Sequence, residues 1–166
     1  MIEDEKLIPD LLEWRKFNGN EFSIEDWIIG EGNIKHMIAY SLLFWPKFIE
    51  YDGCIIMENR FDLQNFENWK KTEYVENFAQ IESVLNHIHI LDFFGAEEKK
   101  DEINHNQIVF LGNKLCEIYS AKLKIDFPEK EFNFDFNGSE KLDAYDEYEI
   151  TFYQEKNLNR KTKYVG

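Results

Sequence analysis

Apolar positions recur at intervals of three or four through most of the chain and at intervals of two near its end. Ile34, Met37, Ile38, Leu42 and Trp45 form one helical face. Tyr40, Leu43 and Phe44 add apolar groups around it, so the pattern predicts a helix buried on more than one side. Asn33 is its cap and Pro46 its end. Just before it, Ser23 and Asp26 stand in capping-box spacing and open a short helix that Gly30 and Gly32 stop. Asp62 caps a segment running to Trp69. A longer helix is predicted from about Glu73, with Tyr74, Phe78, Ile81, Leu85 and Ile88 as its stripe and Gly95 as its stop. The last helix runs from about Asn106 to Lys124, turning Ile108, Leu111, Leu115 and Tyr119 to the core and Asn113, Glu117, Ser120 and Lys124 to water.

After Pro128 the period becomes two. Phe132, Phe134 and Phe136 alternate with Asn133 and Asp135, and Tyr148, Ile150 and Phe152 alternate with Glu149, Thr151 and Tyr153. These runs read as an antiparallel pair joined by the acidic loop 139–147. Earlier, Asp52-Gly53 signals a turn and Cys54 to Met57 a short buried strand. Helices first and strands last, without strand–helix–strand alternation, give an α+β fold. About four helices would pack on a small antiparallel sheet that includes the C-terminal β-hairpin.

Length and composition fit one domain. A chain of 166 residues buries roughly two-thirds of its unfolded surface, and its 15 Phe, 8 Tyr and 4 Trp supply a core. Charge changes the picture more. The net charge is −14, but every acid and all but four of the 19 basic residues lie in 1–155, which carries −18. Residues 156–166 hold Lys156, Arg160, Lys161 and Lys163 with no acid, and read as a mobile basic tail beyond a single globular domain, 1–155. So acidic a body repels nucleic-acid phosphates and anionic membranes and favours a basic protein partner.

The opening Met1-Ile2-Glu3-Asp4-Glu5 lacks the order of a signal peptide. The longest mainly apolar run, Met37 to Trp45, falls short of the roughly 20 residues of a membrane helix. Cys54 and Cys116 are too few for a disulfide framework and read as buried free thiols. A cytoplasmic location is therefore expected.

Few residues suggest chemistry. Phosphate-binding loops, dinucleotide fingerprints, zinc-protease helices, nucleophile elbows and Cys-x-x-Cys pairs are absent from the sequence. Cys54 could serve as a nucleophile only beside a base or cation; a structural thiol is the better reading. His87-Ile88-His89-Ile90-Leu91-Asp92 is the most chemical stretch. On a strand, His87 and His89 would share a face and could ligate a metal together. Read as helix, His89 and Asp92 share a face and His87 lies elsewhere. The helical reading is preferred here, and a metal-assisted hydrolase using His87, His89 and Asp92 is the alternative function. The hairpin loop offers Asp143, Tyr145, Asp146 and Glu147, acids beside aromatics, as a surface for a basic partner.

The runs Phe44-Trp45-Pro46-Lys47-Phe48-Ile49-Glu50-Tyr51-Asp52-Gly53-Cys54, Asn86 to Asp92 and Tyr148-Glu149-Ile150-Thr151-Phe152-Tyr153 resemble those of uncharacterised bacterial proteins. In size, acidity and lack of catalytic motifs the chain is similar to immunity proteins of bacterial polymorphic-toxin systems. That resemblance implies a non-catalytic inhibitor, without cofactor, that binds a cognate toxin; a homodimer is a further alternative.

Overall fold

Capping side chains set where the helices begin. Ser23 Oγ accepts from Asp26 N while the Asp26 carboxylate accepts from Ser23 N, at 3.1 and 2.9 Å. Asp62 accepts from Asn65 N at 2.6 Å, and Asn77 and Asn104 each form a capping box with the glutamine three residues on. The resulting helices are α1 (Pro9–Asn18), α2 (Ile24–Glu31), α3 (Ile34–Phe44), α4 (Leu63–Lys71), α5 (Phe78–Leu85) and α6 (His105–Asp126). The strands are β1 (Phe48–Tyr51), β2 (Cys54–Met57), β3 (Ile88–His89), β4 (Phe132–Phe136) and β5 (Glu149–Gln154). This computed structural model describes residues 3–93, 103–139, 142 and 144–162. The expected helix stop at Gly95 and the end of the basic tail, 163–166, lie outside the described residues.

The fold is α+β, with six α-helices and two small antiparallel sheets among the described residues rather than four helices on one sheet. The chain divides into two compact units, Met1–Leu43 and Phe44–Gly166, where the sequence suggested one domain over 1–155.

In the first unit, α1 and α2 meet through Trp14. Its ring lies 5.5 Å from that of Phe22, and Gly30 of α2 leaves room for it: a Cβ there would stand 3.0 Å from the indole. Arg15 bonds Glu5 and the Phe22 carbonyl. Neither α2 nor α3 has a buried side chain. The stripe predicted to sink α3 into a core is instead exposed, with Ile34 at 70% and Leu42 at 69% accessibility.

In the second unit, β1 and β2 form a hairpin around Asp52-Gly53, both at positive φ, as a two-residue turn of this hand requires. All four residues of β2 are buried. Ile55 and Met57 join the cluster of Ile88, Ile108, Leu115, Tyr119, Tyr148, Ile150 and Phe152. Cys54 and Ile56 join Phe66, Phe78, Ile81 and Leu85 on the other face. That double burial explains a run with no polar alternation. The three-stranded sheet has the order β3-β5-β4, antiparallel throughout, and contains the expected C-terminal hairpin. Phe136 of β4 packs on α6 at Gly112, where a Cβ would come within 2.2 Å of the ring.

Side chains of α5 join the two sheets. Buried Glu82 accepts from Ile55 N at 2.7 Å, from Gln154 N at 2.8 Å and from the Gln154 side-chain amide. Buried Asn86 accepts from Met57 N and donates to the carbonyls of Ile55 and Phe152. Two side chains one turn apart thus satisfy the free edges of β2 and β5, which would otherwise be buried without partners.

The expected basic tail is packed as far as Thr162. A 3-10 turn covers Glu155–Asn159, and Asn157 and Thr162 are buried. Arg160 lies 3.6 Å from the Phe78 ring centroid and pairs with Asp52 at 2.5 Å. Thr162 N and Oγ1 donate to the carbonyls of Glu76 and Val75. Basic side chains here satisfy local acids and carbonyls, so a charge break did not mark a structural boundary.

Candidate functional site

Asn86 ends α5, and its side chain is committed to β2 and β5, so the helix does not continue through the histidines. Ile88 and His89 enter the sheet instead, with Ile88 opposite Ile150 and His89 opposite Glu149. Tyr74 and Ile88, expected on one helical stripe, are respectively exposed and part of β3. The strand alternation sends Ile88 into the core and turns His87 and His89 to the outer face beside Glu149.

Three ligating groups converge there. His87 Nε2 stands 2.9 Å from His89 Nε2 and 3.2 Å from Glu149 Oε2, and all three atoms lie within 4.8 Å of one another. Each side chain is partly exposed. Asp92, the carboxylate expected from sequence, sits on the following 3-10 turn, Ile90–Phe93, outside this cluster. Glu149 takes its place.

The scaffold is tied on each side. Arg60 donates to the carbonyl of His87. Asn137 Oδ1 accepts from Glu149 N at 3.0 Å, and its amide donates to the carbonyl of Glu147 at 2.8 Å. Ile90 N donates to the carbonyl of Tyr148, extending the β3–β5 ladder. His89 Nδ1 donates to the backbone carbonyl of Asp146 at 2.9 Å. A carbonyl oxygen only accepts, so the proton of a neutral His89 is on Nδ1 and Nε2 presents a lone pair to the cluster.

This last contact joins the two places that the sequence singled out separately. Tyr145–Glu147 forms a 3-10 turn with Asp146 and Glu147 exposed and Tyr145 packed against the core. Its backbone orients His89, while its carboxylates face water. Asp143 lies outside the described residues. His105 is engaged elsewhere, with Nδ1 2.7 Å from the buried Tyr148 hydroxyl.

The thiols suit no nucleophile. Burial, with the Glu82 carboxylate second, pushes the Cys54 thiol far above its ordinary value; its neighbours are the Phe78 carbonyl and the Asn157 amide, each at 3.9 Å. Burial holds Cys116 up at about 11.

Glu149 was within reach of sequence reasoning as a polar-face residue of its strand. Its pairing with His89 was not, because that contact spans sixty positions and depends on where α5 stops. No protein-family model, curated protein or solved structure matches the chain.

Proposed function

We propose that the chain is a non-catalytic protein-binding module of the immunity type, which neutralises a basic protein toxin by docking on it. The observation that carries this reading is the apolar surface of α2 and α3. Ile28, Ile29, Ile34, Met37, Ile38, Tyr40 and Leu42 are all exposed, Ile29 at 81%. So many exposed large apolar side chains on two consecutive helices exceed the scattered single ones of an ordinary surface, and such concentrations mark interaction sites. The same segment is acidic: residues 1–43 carry nine acids against four bases, including Glu25, Asp26 and Glu31 on α2 itself. Aliphatic anchors on an acidic segment fit a partner that offers apolar side chains together with Lys and Arg, because the anchors supply affinity and the charges steer encounter.

The experiment is co-expression with the product of the neighbouring gene, followed by isolation of the complex and a viability assay. Ile29→Asp and Met37→Asp should each weaken capture at least tenfold, leaving circular dichroism unchanged because both side chains are exposed. A neighbouring product that is neither bound nor neutralised removes the immunity reading.

A further inference from the structure

We propose that His87, His89 and Glu149 form a three-ligand site for a divalent cation of the zinc class, with the remaining coordination position open to solvent. The proposal does not depend on the binding-module reading. It rests on geometry that β3 and β5 build together. His89 and Glu149 are directly opposed across the ladder, and His87 shares their face two residues along. Opposed residues on neighbouring strands approach closely enough for side-chain termini to meet without long, floppy reach.

The separations suit a metal. Ligand atoms about 2.1 Å from a tetrahedral zinc stand about 3.4 Å apart. Two of the edges are 2.9 and 3.2 Å, and the third is within 4.8 Å, so rotations of the side chains alone would seat an ion. The donor set is also right. Two imidazole nitrogens and one carboxylate oxygen suit zinc and its neighbours late in the first transition row, and suit calcium and magnesium poorly. Two histidines and a glutamate with a free position form a known open zinc arrangement.

The surroundings prepare the ligands. Ligating histidines usually donate their second nitrogen to a carbonyl or carboxylate, which fixes the tautomer and orients the ring. His89 does so to the Asp146 carbonyl. In the absence of metal, the His89 lone pair and the Glu149 carboxylate are both acceptors, and His87 Nε2–H is the donor between them. A cation takes the position of that hydrogen, while the His87 proton moves to Nδ1. The carboxylate offsets half of the ion's charge. Side-chain accessibilities of 33% for His87 and 40% for Glu149 leave an approach from solvent.

The competing account is a cross-strand hydrogen-bonded triad with no ion. Calorimetric titration of the chelator-treated full chain with Zn2+ separates the two. The proposal expects one Zn2+ per chain at micromolar free metal, and Co2+ in its place should give the visible absorption of a four- or five-coordinate ion. His89→Ala and Glu149→Gln should each weaken binding by about a hundredfold or more, since even partners of ligands cost ten- to a hundredfold. His36→Ala, on α3, should leave binding unchanged. Should a substitution unfold the chain, His87→Gln is read in its place, because it keeps a polar side chain at a partly exposed position. Absence of zinc uptake by the unaltered chain, or uptake indifferent to these substitutions, overturns the site.

Discussion

Asp52 shows how one residue serves turn, charge and chain end together. With φ at 44° it occupies the left-handed region, followed by Gly53 at 71°. Its carboxylate meets Lys70 at 2.7 Å and Arg160 at 2.5 Å. Partial burial pushes its carboxyl up, but the hydrogen bonds from Lys70 and Arg160 outweigh that and hold it below the ordinary value. A depressed carboxyl contributes stability that is present above its unfolded value, about 3.9, and lost as pH falls through the lower folded value. Asp52→Asn isolates this effect, because Asn-Gly suits the same turn. Urea unfolding at neutral pH should show a loss of about 0.5–1 kcal/mol, given the part-exposed setting. The difference between the two proteins should shrink below about pH 4. The Asp-Gly turn was legible from two adjacent letters. Arg160 was not, since it stands 108 positions away from its partner.

Elements were legible where their signals are local. Ser23, Asp62 and the alternating phenylalanines of β4 each announce their element within a few residues. α5 is the instructive failure. Its apolar spacing runs on in sequence to Ile88, but Asn77 starts the helix later and Asn86 ends it earlier. Glu82 and Asn86, polar residues that a helix pattern sends to water, are both buried because two strand edges need them. That need belongs to tertiary structure. Glu82→Gln tests it at constant size: three N–H donors converge on two carboxylate oxygens, and an amide offers only one acceptor. Urea unfolding should show a loss of about 2–3 kcal/mol, since a buried donor is left unpaired. The candidate metal site depends on the same helix end, because the stop at Asn86 is what turns His87 and His89 onto one face.

At the scale of the whole molecule, charge and burial decide what the surface can do. Both thiols are raised by burial, Cys116 to about 11. Native protein should therefore react with iodoacetamide far more slowly than urea-unfolded protein, and mass spectrometry of the alkylated chain reads the difference. No helix among the described residues is long and apolar enough to cross a membrane. For the exposed apolar helices α2 and α3, the proposed explanation is a protein partner. The most direct measurement is amide hydrogen exchange of the chain, alone and with the product of the neighbouring gene. Amides of Ile24–Phe44 should exchange readily in the free chain and become protected in the complex. Protection already complete in the free monomer, or a complex that leaves these amides unchanged, would contradict it.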